Sequence, residues 1–367
     1  MKKILTVVGT RPNFIKVTRF NEFLNDHDAD IEHKIVHTGQ HYDDRMSKVF
    51  FEQLGIQPDF WLNVQSGSAN EQIAKIMIAL ENVIKEYQPT LLIVVGDVNS
   101  TLAGALTANK MGIKLVHVES GLRSNDRTMP EEINRLLTDE LSDHCFVTEQ
   151  SGLDNLIKEG KTGDQVHFVG NTMIDTLVAF NEQIMASTIT EHLEIDREPF
   201  ALMTMHRPAT VDSREGLEQL LEVIKLITAK MKLVFPVHPR TLMNFERFGL
   251  NSAYENISEL VFTQPLDYFA FQKLVATCKY VITDSGGIQE ETTFRQVPCI
   301  TLRNNTERPI TCTIGTNTLT SFELAEVELL LSKIESGTYK QGIIPDLWDG
   351  NATSRIKDKI VEILKAV

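Results

Sequence analysis

Short apolar runs alternate with longer amphipathic stretches along nearly the whole chain. Parallel strands buried on both faces read as continuous apolar runs, and surface helices repeat every 3.6 residues, so this alternation predicts successive βα units. In the first half the strands fall at 4–8, 34–37, 91–95, 114–118, 145–147 and 165–169, with helices at 14–24, 71–86, 100–111, 131–141 and 151–159. A helix over 174–185 is followed by a polar, acidic stretch at 186–199 without clear period, where the alternation pauses. It restarts with strands at 200–205, 233–237, 260–262, 279–282 and 298–302, and helices at 215–231, 242–248, 268–276, 287–295 and 323–335. A last helix spans 352–365. The pattern predicts an α/β fold of two Rossmann-like, doubly wound domains facing a cleft, divided as 1–172 and 173–351. In such sheets ligands sit beyond the carboxyl ends of the strands.

The unusual polar clusters sit at those ends. Gly9-Thr10-Arg11-Pro12 follows the first strand, with Lys16 a turn later; this is neither a dinucleotide fingerprint nor a Walker loop. Arg11 and Lys16 are candidate phosphate ligands or plain surface charges. Gly96-Asp97 ends the most apolar strand of the first half, and Asn99 or Ser100 could cap the following helix in place of Asp97. Glu119, at the end of the next strand, should be partly desolvated, which raises a carboxyl toward acid–base use; its bland alternative is an ion pair with Arg123. Pro130-Glu131-Glu132 opens a helix, where dipole placement alone would explain one glutamate. In the second half, His206-Arg207 and His238-Pro239-Arg240 end two strands and suit a diphosphate, although a strand-end histidine such as His238 is more often structural.

The stretch Thr283-Asp284-Ser285-Gly286-Gly287-Ile288-Gln289-Glu290-Glu291 is the densest signal. Ser285, Gly286 and Gly287 fall on a strand-to-helix turn, whose N–H groups and helix dipole suit an anion. A carboxylate one turn later, Glu290 or Glu291, could accept from the vicinal hydroxyls of a ribose. A nucleoside diphosphate fits this layout. A tight turn with solvated glutamates fits it too. Arg303 and Arg308 either reach a ligand or pair with Glu307.

Composition changes the picture little. The chain has 367 residues, 42% hydrophobic and 23% charged, which suits two globular cores. A net charge of −14 argues against nucleic acid or an anionic membrane surface as the main partner. No apolar run approaches a membrane span, and the four scattered cysteines read as reduced and structural, so a cytoplasmic protein is expected. No helical His-Glu-x-x-His pair occurs, and no required metal is expected.

Taken together, Gly-Thr-Arg-Pro at 9–12, Gly-Asp at 96–97, His-Val-Glu at 117–119, Pro-Glu-Glu-x-Asn-Arg at 130–135, Gly-Asn-Thr at 170–172, His-Arg at 206–207, Pro-Val-His at 236–238, the 283–291 stretch and Thr-Glu-Arg-Pro at 306–309 resemble the non-hydrolysing UDP-N-acetylglucosamine 2-epimerases. The resemblance covers nearly the whole chain in the family's order. It implies a glycosyltransferase-B type architecture in which the helix at 352–367 packs back on the first domain. It also implies inversion at sugar carbon 2 by loss and re-addition of UDP through a 2-acetamidoglucal, with no cofactor. Carried over, Asp97, Glu119 and Glu131 form the acid/base set and His206 acts at the diphosphate. Arg11, Lys16, Arg135, His238, Ser285, Gly286, Gly287, Arg303 and Arg308 bind substrate, with Glu291 on the ribose. A homodimer in the cytoplasm, supplying an N-acetylmannosamine-type donor for surface polymers, is implied as well.

Departures from the family pattern bear on details. Asn13 stands where many relatives carry a glutamate. Gln40-His41-Tyr42-Asp43 departs from a stretch that some members use to bind an activating UDP-sugar, so such activation is not expected here. Thr-Gly-Gln-His-Tyr-Asp at 38–43 and Gly-Thr-Asn at 315–317 are similar to relatives acting on a UDP-2,3-diacetamido-glucuronate, which leaves the sugar open. A UDP-sugar glycosyltransferase and a silent UDP-sugar-binding protein are the other readings. The clustered carboxylates favour proton chemistry over either.

Overall fold

The computed structural model describes residues 1–25, 30–40, 49, 51–64 and 67–365. His41-Tyr42-Asp43, of the stretch at which no activating UDP-sugar is expected, lie outside the described residues. Contacts divide the chain into two compact units, Met1–Ala179 with Asp346–Val367, and Phe180–Pro345.

The first unit holds a seven-stranded sheet in the order β3-β2-β1-β4-β5-β6-β7. Its strands are β1 (Lys2–Val8), β2 (Ile31–His37), β3 (Phe60–Trp61), β4 (Leu91–Val95), β5 (Lys114–Ser120), β6 (His144–Val147) and β7 (Val166–Phe168). All pairs are parallel. Every residue of β4 is buried, as a strand covered on both faces requires. Leu5, Val7, Leu92, Val94 and Leu115 pack with Leu80, Ile84 and Tyr87 of the Ala69–Tyr87 helix.

The second unit holds a six-stranded parallel sheet ordered β10-β9-β8-β11-β12-β13. Its strands are β8 (Phe200–Thr204), β9 (Lys232–Pro236), β10 (Leu260–Thr263), β11 (Tyr280–Thr283), β12 (Cys299–Leu302) and β13 (Asn317–Thr320). In each sheet the order reverses once, between β1 and β4 and between β8 and β11. Those reversals are the topological switch points at which open α/β sheets take ligands.

Several boundaries differ from the sequence reading. The expected division after residue 172 falls instead after Ala179, because the Thr172–Ala179 helix belongs to the first unit, where Thr176 Oγ1 donates to Ile15 O at 2.6 Å. The expected helix at 174–185 is two helices, Thr172–Ala179 and Asn181–Met185, and the break between them is the unit boundary. The helix at 14–24 is also split, into Arg11–Val17 and Phe20–Leu24, where Thr18 Oγ1 bonds back to Phe14 O at 2.9 Å. Strands β3 and β13 were not legible as apolar runs: one is two residues long, and the other reads Asn-Thr-Leu-Thr.

The chain returns to its first unit after Pro345. Trp348 is buried and donates from Nε1 to Thr148 O at 2.9 Å. Asp175 then accepts from the N–H groups of Ala352 and Thr353 at 3.0 and 2.6 Å, so a side chain of the first unit satisfies donors at the buried start of the Ala352–Lys365 helix. No described helix is long and apolar enough to cross a membrane.

Candidate active site

At the first switch point, the turn after β1 is tied to the end of β4 by one side chain. Asn13 Oδ1 accepts from the N–H groups of Gly9 and Thr10, both at 3.2 Å, while its Nδ2 donates to Val95 O at 3.0 Å. An ionised carboxylate only accepts and could not make the bond to Val95 O, which gives this asparagine a structural reason. Gly96 follows with φ +69, a conformation glycine adopts without strain, and a side chain there would come within 3.4 Å of Lys16 Nζ.

Lys16 is 5% exposed and its ammonium lies 2.5 Å from Glu119 Oε2, so it is not a plain surface charge. Glu119 is 3% exposed and holds φ +69, at the point where the β5–β6 register shifts between Val118 and Ser120. A bulge of this kind re-aims a side chain. The alternative pairing with Arg123 is not made: Arg123 bonds instead to Asp139 at 2.7 Å and Glu159 at 2.6 Å.

Asp97 stands one residue beyond Gly96. Its Oδ2 accepts from Arg135 Nη2 at 2.5 Å, and its side chain keeps 21% exposure. Arg135 is buried and reaches Glu132 Oε2 at 2.7 Å with its other arm. It thus bridges two carboxylates, Asp97 and Glu132. Glu132 also accepts from the N–H groups of Ser124 and Asn125, each at 2.9 Å, and fixes that loop. Burial takes Glu132 into the framework; Glu131, at the first turn of the Pro130–Leu141 helix, is exposed and available to a ligand. Beneath these groups lies His117, fully buried. Its Nδ1 meets Asp139 Oδ1 at 2.6 Å and its Nε2 meets Gly96 O at 2.8 Å, which holds the residue preceding Asp97. Burial alone would raise the Asp139 carboxyl, but the charges and hydrogen bonds of His117 and Arg123 outweigh it and hold it below the usual carboxylate range.

At the second switch point, His206 and Arg207 follow β8, and Asp284 and Ser285 follow β11. Asp284 is fully buried and accepts from Arg207 N at 2.9 Å and His206 N at 3.1 Å, while its Oδ1 lies 3.1 Å from His206 Nδ1. Burial would raise its carboxyl; His206, and the two N–H groups, hold it below the ordinary value. Ser285 precedes the Gly286–Arg295 helix, and its N–H donates to Thr283 Oγ1 at 2.9 Å. The helix N-terminus expected from the sequence is therefore present, with Gly287 in its first turn.

The reason for Gly286 is different from the one expected. A Cβ there would fall 2.4 Å from Glu307 Oε1 and 2.7 Å from Arg308 Nη1, so the missing side chain admits the 307–308 segment. Arg308 lies 2.6 Å from both Glu290 and Glu307, and Arg303 reaches Glu307 at 2.9 Å. Both arginines make the pairing with Glu307 that the sequence offered as one alternative, and Arg308 brings its charge against the turn. His238 caps the Pro239–Arg247 helix through Nδ1, which accepts from Arg240 N at 3.2 Å, in keeping with a structural role. Arg11 is half-buried in the first turn of its helix. Of the paired glutamates, Glu290 is used by Arg308, which leaves Glu291. Burial pushes its carboxyl up to about 7, against a hydrogen bond involving Gln272. Among the described residues no group of three or more His, Cys, Asp or Glu is arranged to hold a metal ion.

These features define a doubly wound α/β protein with ion-paired carboxylates at one switch point and a helix N-terminus at the other. A sequence model of the UDP-N-acetylglucosamine 2-epimerase family matches residues 24–361, and the chain belongs to that family. A UDP-N-acetylglucosamine 2-epimerase of Methanococcus maripaludis is 39% identical over 330 residues, 87% of this chain and 88% of that protein. A UDP-2,3-diacetamido-2,3-dideoxy-D-glucuronate 2-epimerase of Pseudomonas aeruginosa is 38% identical over 322 residues, 86% of this chain and 88% of its own. The crystal structure of the Methanocaldococcus jannaschii UDP-GlcNAc 2-epimerase in complex with UDP-GlcNAc and UDP is similar over 100% of both chains, with a TM-score of 0.88 and 35% identity.

Proposed function

We propose that this chain interconverts UDP-N-acetylglucosamine and UDP-N-acetylmannosamine. A carboxylate of the first unit takes the proton from sugar carbon 2. The bond between carbon 1 and the diphosphate oxygen breaks, its electron pair leaves with UDP, and a 2-acetamidoglucal remains. UDP then re-adds at carbon 1 while a second carboxylic acid returns a proton to carbon 2 from the opposite face. A weakly acidic C–H needs a placed base, and delivery to the other face needs a separate acid. Asp97, Glu119 and Glu131 are the candidates for these two tasks. His206 and the Ser285-Gly286-Gly287 turn, with Arg11 contributing charge, stabilise the departing diphosphate. Glu291 receives the ribose hydroxyls.

The observation that carries this reading is the pairing of Asp97 with Arg135 and of Glu119 with Lys16, side by side around Gly96. Two carboxylates at neighbouring strand ends, each held by its own cation, suit a reaction that moves a proton off one face and onto the other. A homodimer in the cytoplasm that supplies an N-acetylmannosamine-type donor to surface polymers belongs to the same proposal. The test is proton NMR of the protein with UDP-N-acetylglucosamine and, separately, with UDP-2,3-diacetamido-2,3-dideoxy-glucuronate. Formation of the manno epimer from the first, and no comparable turnover of the second, is the expected result. Turnover of the uronate alone would move the assignment to that sugar, and transfer of a sugar to an acceptor would overturn it.

A further inference from the structure

We propose that Asp284 is a positioning residue that fixes which ring nitrogen of His206 carries the proton, so that His206 meets its ligand through Nε2 and donates to it as an imidazolium. The inference rests on the reading of His206 as the group at the diphosphate. Asp284 is fully buried and cannot itself reach a ligand, whereas the His206 side chain is 48% exposed. An ionised carboxylate only accepts hydrogen bonds. Asp284 is held below the ordinary carboxyl value, and its Oδ1 lies 3.1 Å from Nδ1, which favours the tautomer with the proton on Nδ1. The same carboxylate accepts from the backbone N–H of His206 and Arg207, so ring and backbone are gripped by one group.

The consequence is chemical. With Nδ1 committed to Asp284, a neutral ring would turn a lone pair at Nε2 toward a diphosphate oxygen, which repels it. Only the doubly protonated ring can donate from Nε2 while keeping the Asp284 contact. Asp284 therefore selects the cationic form of His206 when a diphosphate is bound, and the imidazolium stabilises negative charge as the carbon 1–oxygen bond breaks. The proton stays on the ring throughout. Asp284 immediately precedes Ser285, so the residue that orients the histidine also leads into the turn read as holding the phosphates.

The test is long-range proton–nitrogen NMR of the full chain with histidine-selective 15N labelling, with His206 assigned as the signals lost in His206→Gln. The expected wild-type spectrum has Nδ1 protonated without ligand and both nitrogens protonated with UDP bound. In Asp284→Asn the Nδ1 preference is lost, and kcat falls on the order of 10²-fold with a smaller change in KM. A wild-type ring protonated on Nε2 alone overturns the proposal, and so do unchanged ring signals in a folded Asp284→Asn. The wild-type spectrum decides even if the variant does not fold. A correct tautomer in a protein that forms no epimer supports the role of Asp284 and rejects the epimerase reading alone.

Discussion

Glu119 occupies a left-handed backbone conformation that a side chain adopts only when its surroundings impose it, at about 1–3 kcal/mol. The bulge in β5 and the Lys16 ammonium supply that constraint. Glu119→Gln should lower kcat by about 10²–10⁴ if the carboxylate moves a proton. It should also destabilise the first unit by about 3 kcal/mol, because Lys16 is left as a buried cation without its partner. Denaturant unfolding of Glu119→Gln beside Lys16→Met/Glu119→Gln checks this, with the double variant recovering part of the loss. Glu291 gives a second prediction. Its carboxyl is raised to about 7, so folding favours the protonated form; its contribution to stability is present below the unfolded value of 4.5 and is lost as pH rises through about 7. Ribose hydroxyls donating to it would favour the ionised form, so near pH 6.5 the wild type should release more protons, or take up fewer, on binding UDP than Glu291→Gln does. Calorimetry in buffers of different ionisation enthalpy measures that difference. At this scale residue type was legible and commitment was not. Glu131 and Glu132 look alike in sequence, and only burial shows that Glu132 holds a loop while Glu131 stays accessible. Lys16 and Arg135 read as ligand cations, yet their carboxylates Glu119 and Asp97 lie far off in sequence, whereas the pairing of Arg303 and Arg308 with Glu307 was open to the sequence as an alternative. Asp284 stood inside the densest motif and drew no role, because its partners His206 and Arg207 follow β8 and a sequence does not show which strands are neighbours.

The strands and helices that carry these residues were largely legible, since a strand buried on both faces leaves a continuous apolar run. Elements lost to the sequence were those whose stability comes from polar contacts: β13 is held by Asn317, which donates from Nδ2 to Gln289 Oε1 at 3.0 Å and whose Oδ1 accepts from Thr301 at 2.7 Å. The turn before the Gly286–Arg295 helix shows how an element can be placed correctly for the wrong reason. Gly286 was read as room for an anion, and it is room for Glu307 and Arg308. Gly286→Ala should therefore displace that segment and destabilise the second unit by about 1–3 kcal/mol, as overpacking does. UDP affinity should fall with it, because the start of the helix shifts. Titration calorimetry with UDP and thermal unfolding check the two effects, and an unchanged affinity would detach the turn from the nucleotide.

For the whole molecule, the residues proposed to move the proton belong to the first unit and those proposed for the diphosphate and ribose to the second, apart from Arg11. Both tryptophans, Trp61 and Trp348, belong to the first unit, so indole fluorescence reports its unfolding separately. Asp175→Ala leaves the N–H groups of Ala352 and Thr353 without their acceptor and should lower the fluorescence-detected transition by about 2 kcal/mol, with a smaller effect on the second unit. The claim on which the account depends is that a proton leaves and rejoins sugar carbon 2 through groups open to solvent exchange. The direct measurement is NMR of UDP-N-acetylglucosamine incubated with the protein in deuterated water. Deuterium at carbon 2 of the manno product, and none in Glu119→Gln, is the predicted result. Epimer formed with its original carbon-bound proton retained, or no exchange and no epimer at all, would contradict it.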